Sequence, residues 1–222
     1  MKDIHIRKDM LSPSTDHHSI IPWQYHWRKT GEFVGENSIA IMEPQEAVWW
    51  NRPLDSDQMC RQEADGLYSY NLPFLGDKDV YKTGYNILLA HHSIPLAIHV
   101  NVNGWTVDEI EALSNLSYRV LWDALVSLGV DESHLSVERN DMLYDGRKFA
   151  GGEKALRCGV YSEDLVITTH YVPEKEVFDR LTGKYAKARN ITGICEEVPS
   201  LSAEKLAAAM SEGFKAFQLS LF

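Results

Sequence analysis

Glu138-Arg-Asn-Asp-Met-Leu-Tyr-Asp-Gly-Arg-Lys-Phe-Ala-Gly-Gly152 is the most informative segment of the 222-residue chain. Leu135 to Tyr144 reads as a strand that carries Asn140 and Asp141. Asp145-Gly146 signals a tight hairpin turn, because both central positions of such a turn favour positive φ. The return strand, Lys148 to Ala150, carries Lys148 and runs into the small-residue stretch Ala150-Gly151-Gly152. Opposed positions on a hairpin bring side chains within several ångströms. An acid, an amide and a lysine therefore converge beside backbone that a ligand can approach closely. A carboxylate suits Mg²⁺, and a lysine suits a phosphate or a developing oxyanion. The same pattern also reads as a surface hairpin with a solvated Arg147–Lys148 pair.

Upstream, Ser38-Ile-Ala-Ile-Met42 and Ala47-Val-Trp-Trp50 read as strands. Ile94, Leu96, Ile98, Val100 and Val102 alternate with smaller or polar residues, the period of a half-buried strand. Asp55 and Gln58 have the spacing of a capping box, which predicts a helix through Gly66. Thr106 and Glu109 form a second box, ahead of apolar residues at helical spacing from Val107 to Leu128 and a stop at Gly129. Downstream, Leu165 to Thr169 reads as a strand, and helices are expected at Glu174–Leu181 and Ala203–Phe217, the latter capped by Ser202. Strands clustered between helices predict an α+β fold, a mixed and largely antiparallel sheet packed by helices. Residues 1–37 are polar and irregular, with scattered histidines and aromatics, and read as an N-terminal arm packing on a single domain at 38–222.

Composition narrows the function. The hydrophobic fraction of 44% and charged fraction of 24% are those of an ordinary globular protein. A net charge of −10 argues against a general nucleic-acid binder, whose affinity comes from neutralising phosphates. Residues 147–189 nevertheless hold nine Lys/Arg against six Asp/Glu, a mildly basic stretch that begins at the candidate lysine. No apolar run nears the ~18 residues that span a bilayer, so no membrane partner is expected. The three cysteines, Cys60, Cys158 and Cys195, are far apart with no C-x-x-C spacing, which points to a reducing, cytoplasmic setting.

The 138–152 segment resembles the core motif of the biotin and lipoate protein ligase family, including the lipoate-protein ligases. There Gly-Arg-Asn-Asp is followed by a hydrophobic stretch, then Asp-Gly-Arg/Lys-Lys, a hydrophobic residue, Ser/Ala and Gly. Arg139, Asn140, Asp141, Asp145, Gly146, Lys148 and Gly151 match in order and spacing. Arg189-Asn-Ile-Thr192-Gly-Ile194 is similar to the family's Arg-x-Thr-x-Leu element, and the resemblance covers about residues 38–217. It implies ATP-dependent activation of lipoate, octanoate or a related carboxylic acid as an acyl-adenylate. The acyl group then passes to a lysine of an acceptor protein, such as an acidic lipoyl-type domain. It implies Lys148 as the catalytic lysine, and Asn140, Asp141 and Gly151 on the nucleotide side, with Asp141 a possible Mg²⁺ ligand.

The family's glycine-rich loop would fall at Tyr81-Lys-Thr-Gly-Tyr-Asn-Ile-Leu-Leu-Ala-His-His92. Lys82, Thr83, Gly84 and His91 fit its register, and the resemblance implies that they line the acyl site. Its three glycines are replaced by Tyr85, Asn86 and Ile87, and its final acid by His92. Bulky residues there hinder close approach of backbone to a phosphate. An alternative therefore stands beside the enzyme: a non-catalytic homologue that keeps the fold and binds a small molecule or a protein partner. Cys158 and Cys195 do not fit a thiol-nucleophile register and read as incidental or buried thiols.

Overall fold

The computed structural model describes residues 4–9, 23–24, 26–27, 30–42, 44–50, 60–62, 68–70, 80–82, 88–171 and 191–220. In chain order its strands are β1 (His5–Asp9), β2 (Ser38–Met42), β3 (Gln45–Trp50), β4 (Cys60–Gln62), β5 (Tyr68–Tyr70), β6 (Val80–Lys82), β7 (Leu88–Asn101), β8 (Leu135–Glu138), β9 (Asp141–Tyr144), β10 (Arg147–Arg157) and β11 (Val160–His170). Among the described residues the helices with assigned bounds are α1 (Val107–Ser127), α2 (Ile194–Glu197) and α3 (Ala203–Ser220), with a 3-10 turn at Glu132–His134 and helical backbone at residues 23–24, 26–27 and 30.

The main sheet has the order β1-β2-β7-β11-β10-β9-β8, and β3 and β6 join it beside the first half of β7. Most pairings are antiparallel; β1–β2 and β3–β6 are parallel. The expected α+β class with a mixed, largely antiparallel sheet is what forms. The 14-residue β7 is the axis of the sheet. Along one edge it meets β3 through residues 88–93 and β2 through residues 96–99, and along the other it meets β11.

The alternation in β7 sorts its side chains into two layers. Ile94, Leu96, Ile98 and Val100 join Leu165 and Ile167 of β11 in the core that α1 and α3 cover. The α1 N-terminus is fixed by a reciprocal box: Glu109 N–H donates to Thr106 Oγ1 at 3.3 Å, and Thr106 N–H donates to Glu109 Oε2 at 2.7 Å. Leu113, Leu116, Leu121 and Leu125 then face the sheet. Ser202 Oγ caps α3 by accepting from Lys205 N–H at 3.2 Å, and Leu206, Met210 and Phe214 are fully buried. The two helices meet closely: a Cβ at Gly213 would lie 2.9 Å from Val120 Cγ1. Among the described residues no helix is long and apolar enough to cross a membrane.

The opposite face of the sheet is covered from the N-terminal side. The buried His99 ring stacks on Phe33 at 4.8 Å and meets the edge of Trp27 at 6.2 Å. Gln24 Nε2 donates to the carbonyls of Ile98 and Glu163 at 2.9 and 3.1 Å, clipping this segment across β7 and β11.

Three sequence expectations change. Residues 1–37 are not irregular throughout, since His5–Asp9 adds a strand alongside β2. Within the helix expected at Asp55–Gly66, Cys60–Gln62 is instead a strand paired with β5. The capping-box spacing there is not followed by an apolar stripe of helical period, and a box without that stripe has nothing to bury. The single strand expected from Leu135 to Tyr144 is two strands, broken by a turn at Arg139-Asn140. The helix expected at Glu174–Leu181 lies outside the described residues.

Phe214→Ala is expected to cost about 3–5 kcal/mol, as for a large aromatic removed from a closed core. Urea denaturation checks this, with the midpoint falling and the slope unchanged.

Candidate functional site

Asp145 and Gly146, at φ +48° and +73°, close the β9–β10 hairpin in the conformation the Asp-Gly pair predicts. Tyr144 pairs with Arg147 and Leu143 with Lys148, but next Met142 pairs with Ala150 and Asp141 with Gly151. One extra residue, Phe149, has entered β10 as a bulge. It shifts the parity of the strand, so Lys148 and Gly151 share the face of Asp141 although they are three residues apart. Lys148 Nζ then pairs with Asp141 Oδ1 at 2.6 Å. The pair sits directly over Gly151, where a Cβ would lie 2.5 Å from Lys148 Nζ and 2.6 Å from its Cε. The glycine is thus required by the pair above it.

The C-terminal segment anchors the lysine's backbone. Thr192 N–H donates to the Lys148 carbonyl at 2.9 Å, and Ile191 forms a parallel bridge with Lys148. Glu197 reaches back from α2 with both oxygens, one accepting from the Arg147 guanidinium and the other from the Thr192 hydroxyl. The sequence element at 189–194 therefore does meet the hairpin, through Ile191 and Thr192.

The Lys148 and Asp141 side chains remain 31% and 40% exposed. Ion pairs that wet contribute only about 0–1 kcal/mol to stability. Exchanging Asp141 for an anionic ligand on Lys148 is correspondingly cheap. The arrangement offers a cation with a carboxylate beside it, over backbone that carries no side chain at Gly151, a set that fits a phosphate or an activated carboxyl group once the pair is exchanged.

On the helix-covered side lies a buried polar group that the sequence reading did not single out. Glu163 is fully buried, accepts hydrogen bonds from Ser117 of α1 and, at 2.6 Å, from Tyr161, and lies 3.8 Å from Lys154 Nζ. Burial pushes the Glu163 carboxyl up, against the opposing pull of Lys154 and of the two hydroxyls. Burial likewise pushes the Lys154 ammonium down, and Glu163 opposes that shift. Lys154 and Glu163 pair across β10–β11 because they are equally spaced about the Cys158-Gly159 turn, a signal the sequence does contain.

Of the sequence-derived residues, Lys148, Asp141 and Gly151 come together as expected. Asn140 does not lie in a strand; it sits in the turn before β9, and its carbonyl accepts from Tyr118 Oη at 2.6 Å. Lys82 is the last residue of β6, paired with Trp50. His91 is in β7, with its side chain outside the described residues, and Thr83 and Gly84 are outside them altogether. Among the described residues no three His, Cys, Asp or Glu side chains cluster as a metal site. The single Asp141 carboxylate is the kind of donor that holds Mg²⁺ together with substrate phosphates. Cys195 is buried, and burial, with smaller contributions from Glu204 and Glu196, pushes its thiol up to about 11. Cys158 is exposed in the β10–β11 turn.

Two outcomes are expected. In Gly151→Ala the atoms in the way are the tips of flexible side chains, so stability should fall by less than about 1 kcal/mol. The Lys148–Asp141 pair should be displaced, as a crystal structure of the variant would reveal. In the native protein at pH 8, iodoacetamide should alkylate Cys158 and spare Cys195, as read by peptide mass mapping.

No family model matches the chain, and no curated protein sequence does. Solved structures do. The bi-partite lipoate protein ligase of Thermoplasma acidophilum superposes with a TM-score of 0.60 at 13% identity, covering 97% of this chain and 84% of that one. LipL1 of P. falciparum, solved in complex with lipoate, gives 0.58 at 13% identity over 99% of this chain and 62% of that one. Lipoate-protein ligase A bound with ATP gives 0.55 at 12% identity over 97% and 84%. The chain thus carries the fold seen in the lipoate-protein ligases.

Proposed function

We propose that the protein is a lipoate-protein-ligase-like acyltransferase. It activates lipoate, octanoate or a similar carboxylic acid with ATP and passes the acyl group to a lysine of an acceptor protein. The observation that carries this reading is the Lys148–Asp141 pair held over Gly151. In the first step a carboxylate oxygen attacks the α-phosphorus and pyrophosphate leaves. In the second, the acceptor amine attacks the acyl carbonyl and AMP leaves. Lys148 is the fixed cation at both, against the charge that grows on phosphate and then on the carbonyl oxygen. Asp141 holds the ammonium in place before the anion arrives. Mg²⁺, held by Asp141, would neutralise phosphate charge when bound. In this reading Asn140 and Gly151 would flank the nucleotide, and the family resemblance assigns Lys82, Thr83, Gly84 and His91 to the acyl end.

The ATP and lipoate complexes of structurally similar proteins support the two ligands. The T. acidophilum ligase, described with its E2 lipoyl domain, supports an acceptor of that type. The basic balance of residues 147–189 suits an acidic one. A cytoplasmic setting belongs to the same proposal. The second reading, a non-catalytic homologue that binds a small molecule or protein partner, is favoured by Tyr85, Asn86 and Ile87 in place of three glycines.

The experiment incubates the protein with ATP, Mg²⁺ and, separately, lipoate, octanoate or biotin, and looks for acyl-adenylate by mass spectrometry. Product with one of these acids is expected, falling by about 10²–10³-fold in Lys148→Ala, as when a single oxyanion donor is removed. No product with any acid would select the non-catalytic reading.

A further inference from the structure

The position of Asp141 depends on the turn that precedes it. Glu138 pairs with Asp141 across Arg139-Asn140, and Arg139 adopts φ +58°. A side chain in that left-handed region costs on the order of 1–2 kcal/mol, so the turn needs outside support. The support comes from α1: Tyr118 Oη donates to the Asn140 carbonyl at 2.6 Å. Burial pushes the Tyr118 phenol up, with Glu163 and Asp141 adding to the shift, so it remains a protonated donor throughout the physiological range.

The Tyr118 ring is itself fixed. Lys154 Nζ lies 4.1 Å from the ring centroid, a cation–π contact. The same ammonium donates to the Ser114 carbonyl, one helical turn before Tyr118, and faces Glu163. Ser117, beside Tyr118 in sequence, donates to Glu163. A chain of contacts thus runs from the buried carboxylate on β11, through Lys154 and the Tyr118 ring, to the peptide that precedes Asp141.

We propose that Tyr118 is a positioning residue for the candidate site: its hydrogen bond to the Asn140 carbonyl sets where the Asp141 carboxylate stands, and so where Lys148 is held, while Lys154 and Glu163 fix the tyrosine ring. The inference rests on the reading of Lys148 as the site's cation. Tyr118 touches no reacting atom and acts through the turn.

The test uses Tyr118→Phe, which deletes the hydroxyl alone, beside Val120→Ala, which loosens the same helix against α3 without touching the Asn140 turn. The first readout needs no activity. It is the ¹Hε–¹³Cε resonance of Lys148 in protein grown on labelled lysine, assigned through Lys148→Arg, with Asp141→Asn giving its unpaired position. Tyr118→Phe should move the resonance towards that position. Val120→Ala should leave it at the wild-type position while lowering the melting temperature. The second readout is adenylate formation, where Tyr118→Phe should lower kcat/KM about fivefold, the equivalent of one hydrogen bond. An unmoved Lys148 resonance in Tyr118→Phe, or an equal shift in Val120→Ala, overturns the proposal. If the wild-type protein forms no adenylate, the enzyme reading fails by itself, and the resonance still decides the role of Tyr118.

Discussion

Side chains alternate along a β-strand with period two, so residues three apart ordinarily face opposite sides of the sheet. Lys148 and Gly151 share a face because β10 takes in one residue more than β9. Phe149, at that bulge, is fully buried, which ties the irregularity to the core. Much of the site follows from this. Gly151 comes to lie opposite Asp141 and beneath the lysine, and Arg147 stands beside Glu197 of α2. Were the ladder regular, Lys148 would still stand opposite Leu143 on the Asp141 face, but Ala150 instead of Gly151 would lie opposite Asp141 and put a methyl group beneath the pair.

Stability and chemistry are divided between the two faces of the same strands. Towards the helices, the half-buried Lys154 faces the fully buried Glu163, whose carboxylate is supported by hydroxyls. Such a pair adds little over a well-packed apolar alternative, yet breaking it from one side is strongly destabilising, so it enforces one arrangement. Towards solvent, Lys148 and Asp141 form a wet pair that is easily exchanged. A rigid arrangement below and a labile one above is what a site needs if it must hold a lysine in place and still release it to an incoming anion.

The sequence reveals the parts of this fold that rest on local rules. The α1 cap at Thr106–Glu109, the alternation of β7 and the Asp145-Gly146 turn each follow from neighbouring residues, and each forms where expected. Lys148, Asp141 and Gly151 meet because they lie on the two strands of one hairpin, the local pattern that the Asp145-Gly146 turn announces. The break at Arg139-Asn140 was hidden, because arginine carries no turn signal and its left-handed φ is sustained by Tyr118, more than twenty residues earlier on a helix. The strand at Cys60–Gln62 was hidden for the opposite reason: a short-range helix signal with no long-range burial behind it. Tyr118 itself reads only as one more member of an amphipathic helix, since nothing local distinguishes a residue that packs from one that also holds a turn.

The clip formed by Gln24 bears on how the molecule comes together. One of the carbonyls it binds belongs to Ile98 and the other to Glu163, 74 and 139 residues later in the chain. During synthesis the residues around Gln24 emerge early but cannot complete these bonds until β11 has emerged and paired with β7. Contacts so distant in sequence are slow to form, because a long loop must close before they return any energy. Trp27, buried in the finished molecule, likewise depends on a distant partner, since its indole N–H donates to the Arg157 carbonyl, 130 residues later in the chain. Apolar residues that wait on such distant partners are open to misassociation until β11 has paired with β7.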